Sequence, residues 1–326
     1  MRLSVSAVLR YAFFAGAVAF FALLPQWIST FKASQFVLVG IYFIALIGLN
    51  IVTGYNGQIS LGHGAFMGVG AYTTMILVTK TSLSAEATIP LAGLVAGLVG
   101  FIFGFPALRL SGVYLALATF GMAVSFIAVV QTSHLEDLTG GATGLFVGIP
   151  QTPYYLTWGI ALGMFLAAWL LLRGRLGRRF RAVRDAPIAA VSSGVNLALV
   201  KTTAFGISAA YAGVAGSLLA IYLGFVNPLT FPVALSITLL VGAALGGFGS
   251  LTGMIFGALF IEFAPLQAEG ISKEAPAVMY GLILLAILFL MPGGAAELLR
   301  RIVLLLKRLT RGRYSRPKSE GGEIAT

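Results

Sequence analysis

The chain has 326 residues, of which 59% are hydrophobic and 10% are charged, with a formal net charge of +11. Soluble domains carry about a quarter charged residues, so this composition excludes an ordinary water-soluble protein and requires lipid as the main solvent. Cysteine is absent and the two histidines, His63 and His134, stand at no metal-ligand spacing. Disulfides are therefore excluded, and a Cys/His metal site is not expected.

Ten apolar segments are long enough to cross a bilayer. A hydrocarbon core about 30 Å thick needs about 20 apolar residues in a helix. The sequence therefore predicts an all-α, polytopic membrane helical bundle of about ten transmembrane helices. Their approximate bounds are residues 9–28, 35–53, 60–79, 88–106, 112–131, 154–172, 202–225, 231–246, 249–264 and 276–292.

Two regions of this layout allow a second interpretation. The first follows Arg2 and Arg10 as a secretory signal would. We favour a transmembrane helix there, because no small-residue cleavage site follows and Trp27 is typical of the membrane interface. The eighth and ninth segments meet at a glycine-rich junction at 246–249, so the pair could be one broken or re-entrant element.

The basic residues predict the orientation of the chain. With the N-terminus inside, all but three of the 21 basic residues fall on the inner side, the exceptions being Lys32, Lys80 and Lys273. The positive-inside rule thus predicts that both termini are cytoplasmic, and we expect a multi-pass protein of the bacterial inner membrane. This topology explains the positive charge without nucleic-acid binding. Spans 2–5 and 7–10 run in opposite directions, so an inverted repeat of two halves is expected.

Polar residues cluster around the start of the third span. Such groups are costly in a bilayer unless they face protein or water. They could line a substrate pathway, or they could form hydrogen bonds between helices around a turn with Gly54 and Gly57 as hinge. The cluster consists of Asn50, Asn56, Gln58, Ser60 and His63.

The segment 173–201, here called the arm, is the least membrane-like part of the interior. Its first half contains six arginines, and an Ala-rich stretch that favours a helix follows. The arginines could simply anchor the topology to anionic lipid. A short amphipathic helix that fits a groove on a soluble partner explains both halves of the arm. We expect the chain to consist of a single permease domain at 1–299 and a basic cytoplasmic tail at 300–326.

Ordered motifs give the chain a specific resemblance. The strings GYNGQISLGHGAFMGVGAY from Gly54, PALRLSGVYLALATF from Pro106, LTGGATGL from Leu138, NP at Asn227 and VGAALGGFGSLTGMIFGA from Val241 resemble the permeases of branched-chain amino acid ATP-binding-cassette (ABC) importers. By order and length, the LivM-type subunit is the most similar. The string RAVRDAPIAAVSSGVN in the arm is similar to the family's cytoplasmic coupling segment, although Pro187 replaces the usual acidic residue.

The resemblance implies roles for residues on both sides of the membrane. In the arm it implies an ATPase-coupling helix formed by Arg178, Arg181, Arg184, Asp185, Ala189, Ala190 and Gly194. On the outside we expect a glycine-rich cap that meets a substrate-binding protein. It is formed by Thr139, Gly140, Gly141, Thr143 and Gly144. This cap is not a nucleotide loop, because no lysine in the chain follows a glycine.

The resemblance also implies partners and a cargo. We expect cytoplasmic ABC ATPase subunits, which use ATP and Mg²⁺, a LivH-like second permease chain and a periplasmic binding protein; no cofactor is expected on this chain. Leucine, isoleucine, valine or related amino acids would be imported. Urea or short amides remain an alternative cargo, and a homodimeric pore an alternative assembly. An ATP-independent secondary transporter is disfavoured because no span buries a charge at its midplane, and no enzyme motif is present.

Overall fold

A computed structural model describes residues 29–81, 83–107, 112–148 and 154–268, together with the isolated positions 27, 110, 278, 281 and 282. The predicted spans at 9–28 and 276–292 and the tail at 300–326 lie outside these continuous stretches.

Helices occupy all the predicted spans inside the described stretches. They are α1 (Thr30–Asn50), α2 (His63–Lys80), α3 (Ala85–Ala107), α4 (Val113–Val130), α5 (Glu136–Thr139), α6 (Tyr154–Arg173), α7 (Arg175–Asp185), α8 (Pro187–Ser192), α9 (Leu197–Leu223), α10 (Val233–Gly246) and α11 (Met254–Ala268).

Six helical stretches are long and apolar enough to cross a bilayer. They are Thr30–Tyr55, Ala85–Pro106, Val113–Val130, Tyr154–Arg173, Leu197–Leu223 and Pro228–Gly246. Helix α2 is less apolar, and α11, with 15 residues, is shorter. The described residues therefore form a polytopic helical bundle with six candidate spans, and the count of about ten stays a prediction.

One small sheet departs from the all-α prediction. Strand β1 (Leu145–Phe146) pairs antiparallel with β2 (Phe225–Val226), with Leu145 opposite Val226. Strands of two residues are too short to show the alternation of apolar and polar residues by which a strand is predicted. The ribbon joins two loops that are distant in sequence.

Local capping explains where the longest helix begins and ends. Helix α9 begins at Leu197, five residues before the predicted span, because the Asn196 side chain accepts a hydrogen bond from the Leu199 amide at 3.1 Å. It ends at Leu223, and the following Gly224, with a φ of 65°, reverses the backbone. Lys201 is the fifth residue of the helix, so hydropathy alone placed the start of this helix too late.

Helices α1 and α9 form the centre of the bundle, and their residues are mostly buried. Helix α9 packs against α2 and α3 at van der Waals distance between backbones. A Cβ at Gly216 of α9 would overlap the carbonyl of Met67 in α2, and one at Gly213 would overlap Ala96 in α3. Small residues thus bring the helices together as they do in membrane proteins. Helices α4 and α6 lie at the periphery, with exposed leucines such as Leu117 and Leu170.

Two helix pairs are interrupted in a similar way. Helix α1 continues as a π-helix over Ile51–Tyr55 and then turns into α2; residues 51–62 are called the first break. Residues 247–253, between α10 and α11, are called the second break. Each contains a Ser-Leu pair, and the serine hydroxyl accepts a hydrogen bond from a following amide, Gly62 to Ser60 at 3.4 Å and Gly253 to Ser250 at 3.1 Å. The glycine-rich junction is therefore a turn between two helices.

Candidate functional site

Asn50 joins the two breaks. Its Oδ1 accepts a hydrogen bond from the Gly249 amide at 2.8 Å, and its Nδ2 donates to the Ser250 carbonyl at 3.1 Å. The side chain is fully buried. Both ends of the amide are thus satisfied by the second break, about two hundred residues away in sequence.

Gly54 leaves room for this connection. A Cβ at Gly54 would overlap Oδ1 of Asn50 and lie 2.5 Å from the Gly249 nitrogen. Any side chain at this position would separate the first break from the second. The glycine is therefore required by a close approach of two backbone segments.

Ser60 and His63 also make contacts inside the bundle. Nε2 of His63 lies 2.8 Å from the Ala45 carbonyl of α1, and both residues are buried. Because a carbonyl only accepts, Nε2 carries the proton and donates. Ser60 accepts from the Gly62 amide. His63 and Asn50 therefore hold neighbouring segments together, whereas Ser60 shapes its own turn.

Asn56 and Gln58 are different. They are 2% and 5% exposed, and both amide atoms of Asn56 and Oε1 of Gln58 have no hydrogen-bond partner among the described residues. A buried amide without a partner is costly, so such atoms normally meet water or a bound solute. Nδ1 of His63 also has no hydrogen-bond partner among the described residues, so three of the five predicted pathway residues have a polar atom free to contact a solute.

Two arginines of the arm secure α7 to α6. Arg178 and Arg181 lie three residues apart on one face of α7. Their Nη1 atoms donate to the carbonyls of Arg173 at 3.4 Å and Leu172 at 3.1 Å. The last carbonyls of a helix lack partners within the helix and attract cations. The arm is therefore fixed to the end of α6.

The next arginine on that face, Arg184, reaches the first break. Its Nη1 donates to the Gly54 carbonyl at 2.7 Å, and its Nε donates to Oδ1 of Asp185 at 2.8 Å. The hydrogen bond from Arg184 holds the pKa of Asp185 below its usual range. Asp185 is therefore ionised at neutral pH and orients the guanidinium.

The second helix of the arm presents an apolar face to solvent. In α8 the side chain of Ile188 is 84% exposed and that of Val191 is exposed too, whereas Ala190 is buried and Ala189 is exposed. Pro187 occupies the first helical position, where its missing amide hydrogen costs nothing. Gly194, with a φ of 79°, follows the helix and has open space around its Cα.

The glycine-rich cap is anchored on the opposite side of the bundle. The buried hydroxyl of Thr139 donates to the carbonyls of Val130 at 2.8 Å and Leu135 at 2.9 Å. Thr143 is exposed and donates to the Gly140 carbonyl at 2.7 Å. The cap bends at three glycines with positive φ, Gly140, Gly141 and Gly144.

The cap continues into β1, which pairs with the β2 strand before Asn227. A Cβ at Gly144 would overlap the Val226 carbonyl. The motifs LTGGATGL and NP, which sequence analysis treated separately, therefore form one structure. No sequence pattern other than their shared resemblance could have joined them.

Loops that are predicted to lie on the same side of the membrane contact each other in the structure. The first break, the arm and the second break, all predicted inside, meet around Arg184. The cap and β2, both predicted outside, pair with each other. These two groups are the candidate sites of contact with other molecules.

The long apolar helices define the class of protein as a multi-pass membrane protein. Residues 33–291 match the family described as branched-chain amino acid transport system / permease component. The chain belongs to this family, which confirms the resemblance seen in the motifs.

Relatives with related names align over most of the chain. LivM of Salmonella typhimurium, a high-affinity branched-chain amino acid transport system permease protein, is 33% identical over 283 residues, which cover 76% of this chain and 66% of that protein. LivM of Escherichia coli K12 is 33% identical over 287 residues, with the same coverage. LivH of Escherichia coli K12 is 26% identical over 279 residues, covering 78% of this chain and 90% of LivH.

The chain thus spans just under two thirds of the length of the LivM relatives. No solved structure matches it.

Proposed function

We propose that the chain is a transmembrane permease subunit of an ABC importer for branched-chain amino acids or related amino acids. Its relatives are named as permease proteins of such transport systems. The observation that carries the proposal is the arm, which is fixed to α6, contacts the first break and exposes the apolar side chain of Ile188.

In this proposal α8 is the contact for a separate ATPase subunit. An isolated apolar helix face on a charged arm suits a groove on a soluble partner. The ATPase would use ATP and Mg²⁺, and its closure would displace the arm. Because a switch between two states needs only differential binding to them, the permease requires no catalytic group and no cofactor of its own.

The permease would open alternately to the two sides of the membrane. A second, LivH-like permease chain would complete a central pathway, and Asn56 and Gln58 of the first break would face it. The proposal includes an inverted repeat of spans 2–5 and 7–10, because the predicted topology runs these two halves in opposite directions. The bacterial relatives support a place in the bacterial inner membrane, and the distribution of basic residues supports cytoplasmic termini. The permease domain would span residues 1–299.

The contact with the ATPase is tested by changing one exposed side chain. We expect Ile188→Glu to abolish co-purification of the ATPase while membrane insertion is kept. Leu229→Glu is the matched control, because Leu229 is also a large exposed apolar residue, 70% exposed, next to β2 on the other side. Retention of the ATPase by Ile188→Glu would contradict the assigned contact.

The outer cap is tested by cross-linking. The chain has no cysteine, so Thr143→Cys supplies a single reactive thiol on an exposed residue. We expect it to cross-link to the periplasmic binding protein, whereas Ser193→Cys in the arm should not. A functional variant that fails to cross-link in every nucleotide state would contradict the role of the cap.

The cargo is tested with the binding protein. Competition binding should rank leucine, isoleucine and valine above urea and short amides. The reverse ranking would assign the chain to an amide importer with the same architecture.

A further inference from the structure

We propose that Arg184 is the positioning residue through which movement of the arm reaches both helix breaks. The inference rests on the proposed function, because it requires an ATPase that moves the arm. In it, the side chain of Arg184 connects the arm to the backbone turns of the two breaks.

The contacts of Arg184 follow its whole length. Its stem covers Gly57, where a Cβ would lie 2.7 Å from Cγ of the arginine. Its head donates to the Gly54 carbonyl at 2.7 Å. The same Nη1 would lie 3.7 Å from a Cβ on Gly249, so it also borders the second break. One side chain therefore contacts the first turn and lies beside the second.

The Gly54 carbonyl is available because of the irregular end of α1. The backbone amides of residues 56–58 donate to the carbonyls of residues 51–53. Gly54 is the next carbonyl, and it accepts from the guanidinium of Arg184. A hydrogen bond from a charged donor is stronger than one between neutral groups, so this contact can transmit a displacement.

The other arm arginines do not provide this connection. Arg178 and Arg181 bond to α6, and Arg179 is exposed without a hydrogen bond within the described residues. Arg184 also bonds Asp185 through Nε while Nη1 serves Gly54. A lysine has one small cationic head and cannot reproduce this fixed fork.

Spin labels on single cysteines in the complete transporter, purified with its ATPase, test the proposal. One nitroxide is attached at Ser193→Cys in the arm and, separately, one at Ile59→Cys in the first break, which is 43% exposed. Label mobility is measured with and without a non-hydrolysable ATP analogue. We expect both labels to respond when Arg184 is present.

In Arg184→Gln the response at residue 193 should persist, while the response at residue 59 should fall by about fivefold or more, the lower end of typical coupling between sites. Arg179→Gln removes the same charge from the same helix and should keep both responses. A full response at residue 59 in Arg184→Gln would overturn the role of Arg184. If the label at residue 193 does not respond even in the protein that keeps Arg184, the proposed function is overturned instead.

A second variant covers the case in which Arg184→Gln does not assemble. Arg184→Lys keeps the charge and the stem, so it should assemble and respond at residue 193 with a reduced response at residue 59. A response at residue 59 equal to that with arginine would overturn the proposal.

Discussion

The two helix breaks share a backbone design but differ in chemistry. Both have a Ser-Leu pair, a serine that accepts from a following amide, and a helix that begins immediately afterwards. The first break buries the side chains of Asn56, Gln58 and Ser60, whereas the polar side chains of the second, Ser250 and Thr252, are not buried. The comparison indicates that both breaks shape the bundle and that the first alone offers buried polar groups to a solute.

The close approach of the breaks should be the most sensitive feature. We expect Gly54→Ala to lower the free energy of unfolding by about 3 kcal/mol or more, because the added Cβ displaces Asn50 and leaves its buried partners unsatisfied. Thermal unfolding in detergent measures this effect. Gly121→Ala, in open space on α4, is the control. Equal stability of the two variants would show that the breaks do not need to touch.

Replacing the connecting side chain should have the next largest effect. Asn50→Leu removes both hydrogen bonds to the second break and leaves the Gly249 amide without its partner. We expect this to lower the free energy of unfolding by about 2 kcal/mol. The same unfolding assay checks it. A variant as stable as the parent protein would mean that Asn50 does not hold the breaks together.

The serine turns allow a direct comparison of the two breaks. Ser250→Ala and Ser60→Ala each remove one hydrogen bond from a nearby amide, so each should lower the free energy of unfolding by about 1 kcal/mol. Ser250→Ala also removes an exposed hydroxyl contact with Thr252 at 3.4 Å. Matched unfolding curves measure the pair. A loss of stability in only one of the two variants would show that the two turns are not equivalent.

Asn56 should show the smallest effect on stability. Asn56→Leu removes amide atoms that have no partner among the described residues, so the free energy of unfolding should stay within about 0.5 kcal/mol or rise. Uptake of leucine by the reconstituted transporter should nevertheless fall. Unchanged uptake would remove Asn56 from the pathway, and a large loss of stability would assign it a packing role like that of Asn50.

Hydropathy predicted much of the fold because lipid requires long apolar helices, and those at 88–106, 112–131 and 154–172 occur at nearly those positions. It missed the early start of α9, where a cap at Asn196 carries the helix past Lys201. It also missed the β1–β2 ribbon, which depends on pairing between distant loops.

The candidate site was less predictable from the sequence. The polar cluster was visible, but Asn50 and Asn56 look alike in sequence and differ only in their partners. Likewise, six arginines crowd the arm, and the contact of Arg184 with Gly54 spans 130 residues of chain. Such roles arise from tertiary contacts, which local sequence patterns do not contain.

The most direct test of the account is solute uptake by reconstituted vesicles with and without the ATPase. The permease chains and the binding protein are present in both samples, and ATP is supplied on the side of the arm. The account predicts leucine uptake only when the ATPase is included. Uptake at the same rate without it would contradict the claim that this chain belongs to an ATP-driven importer.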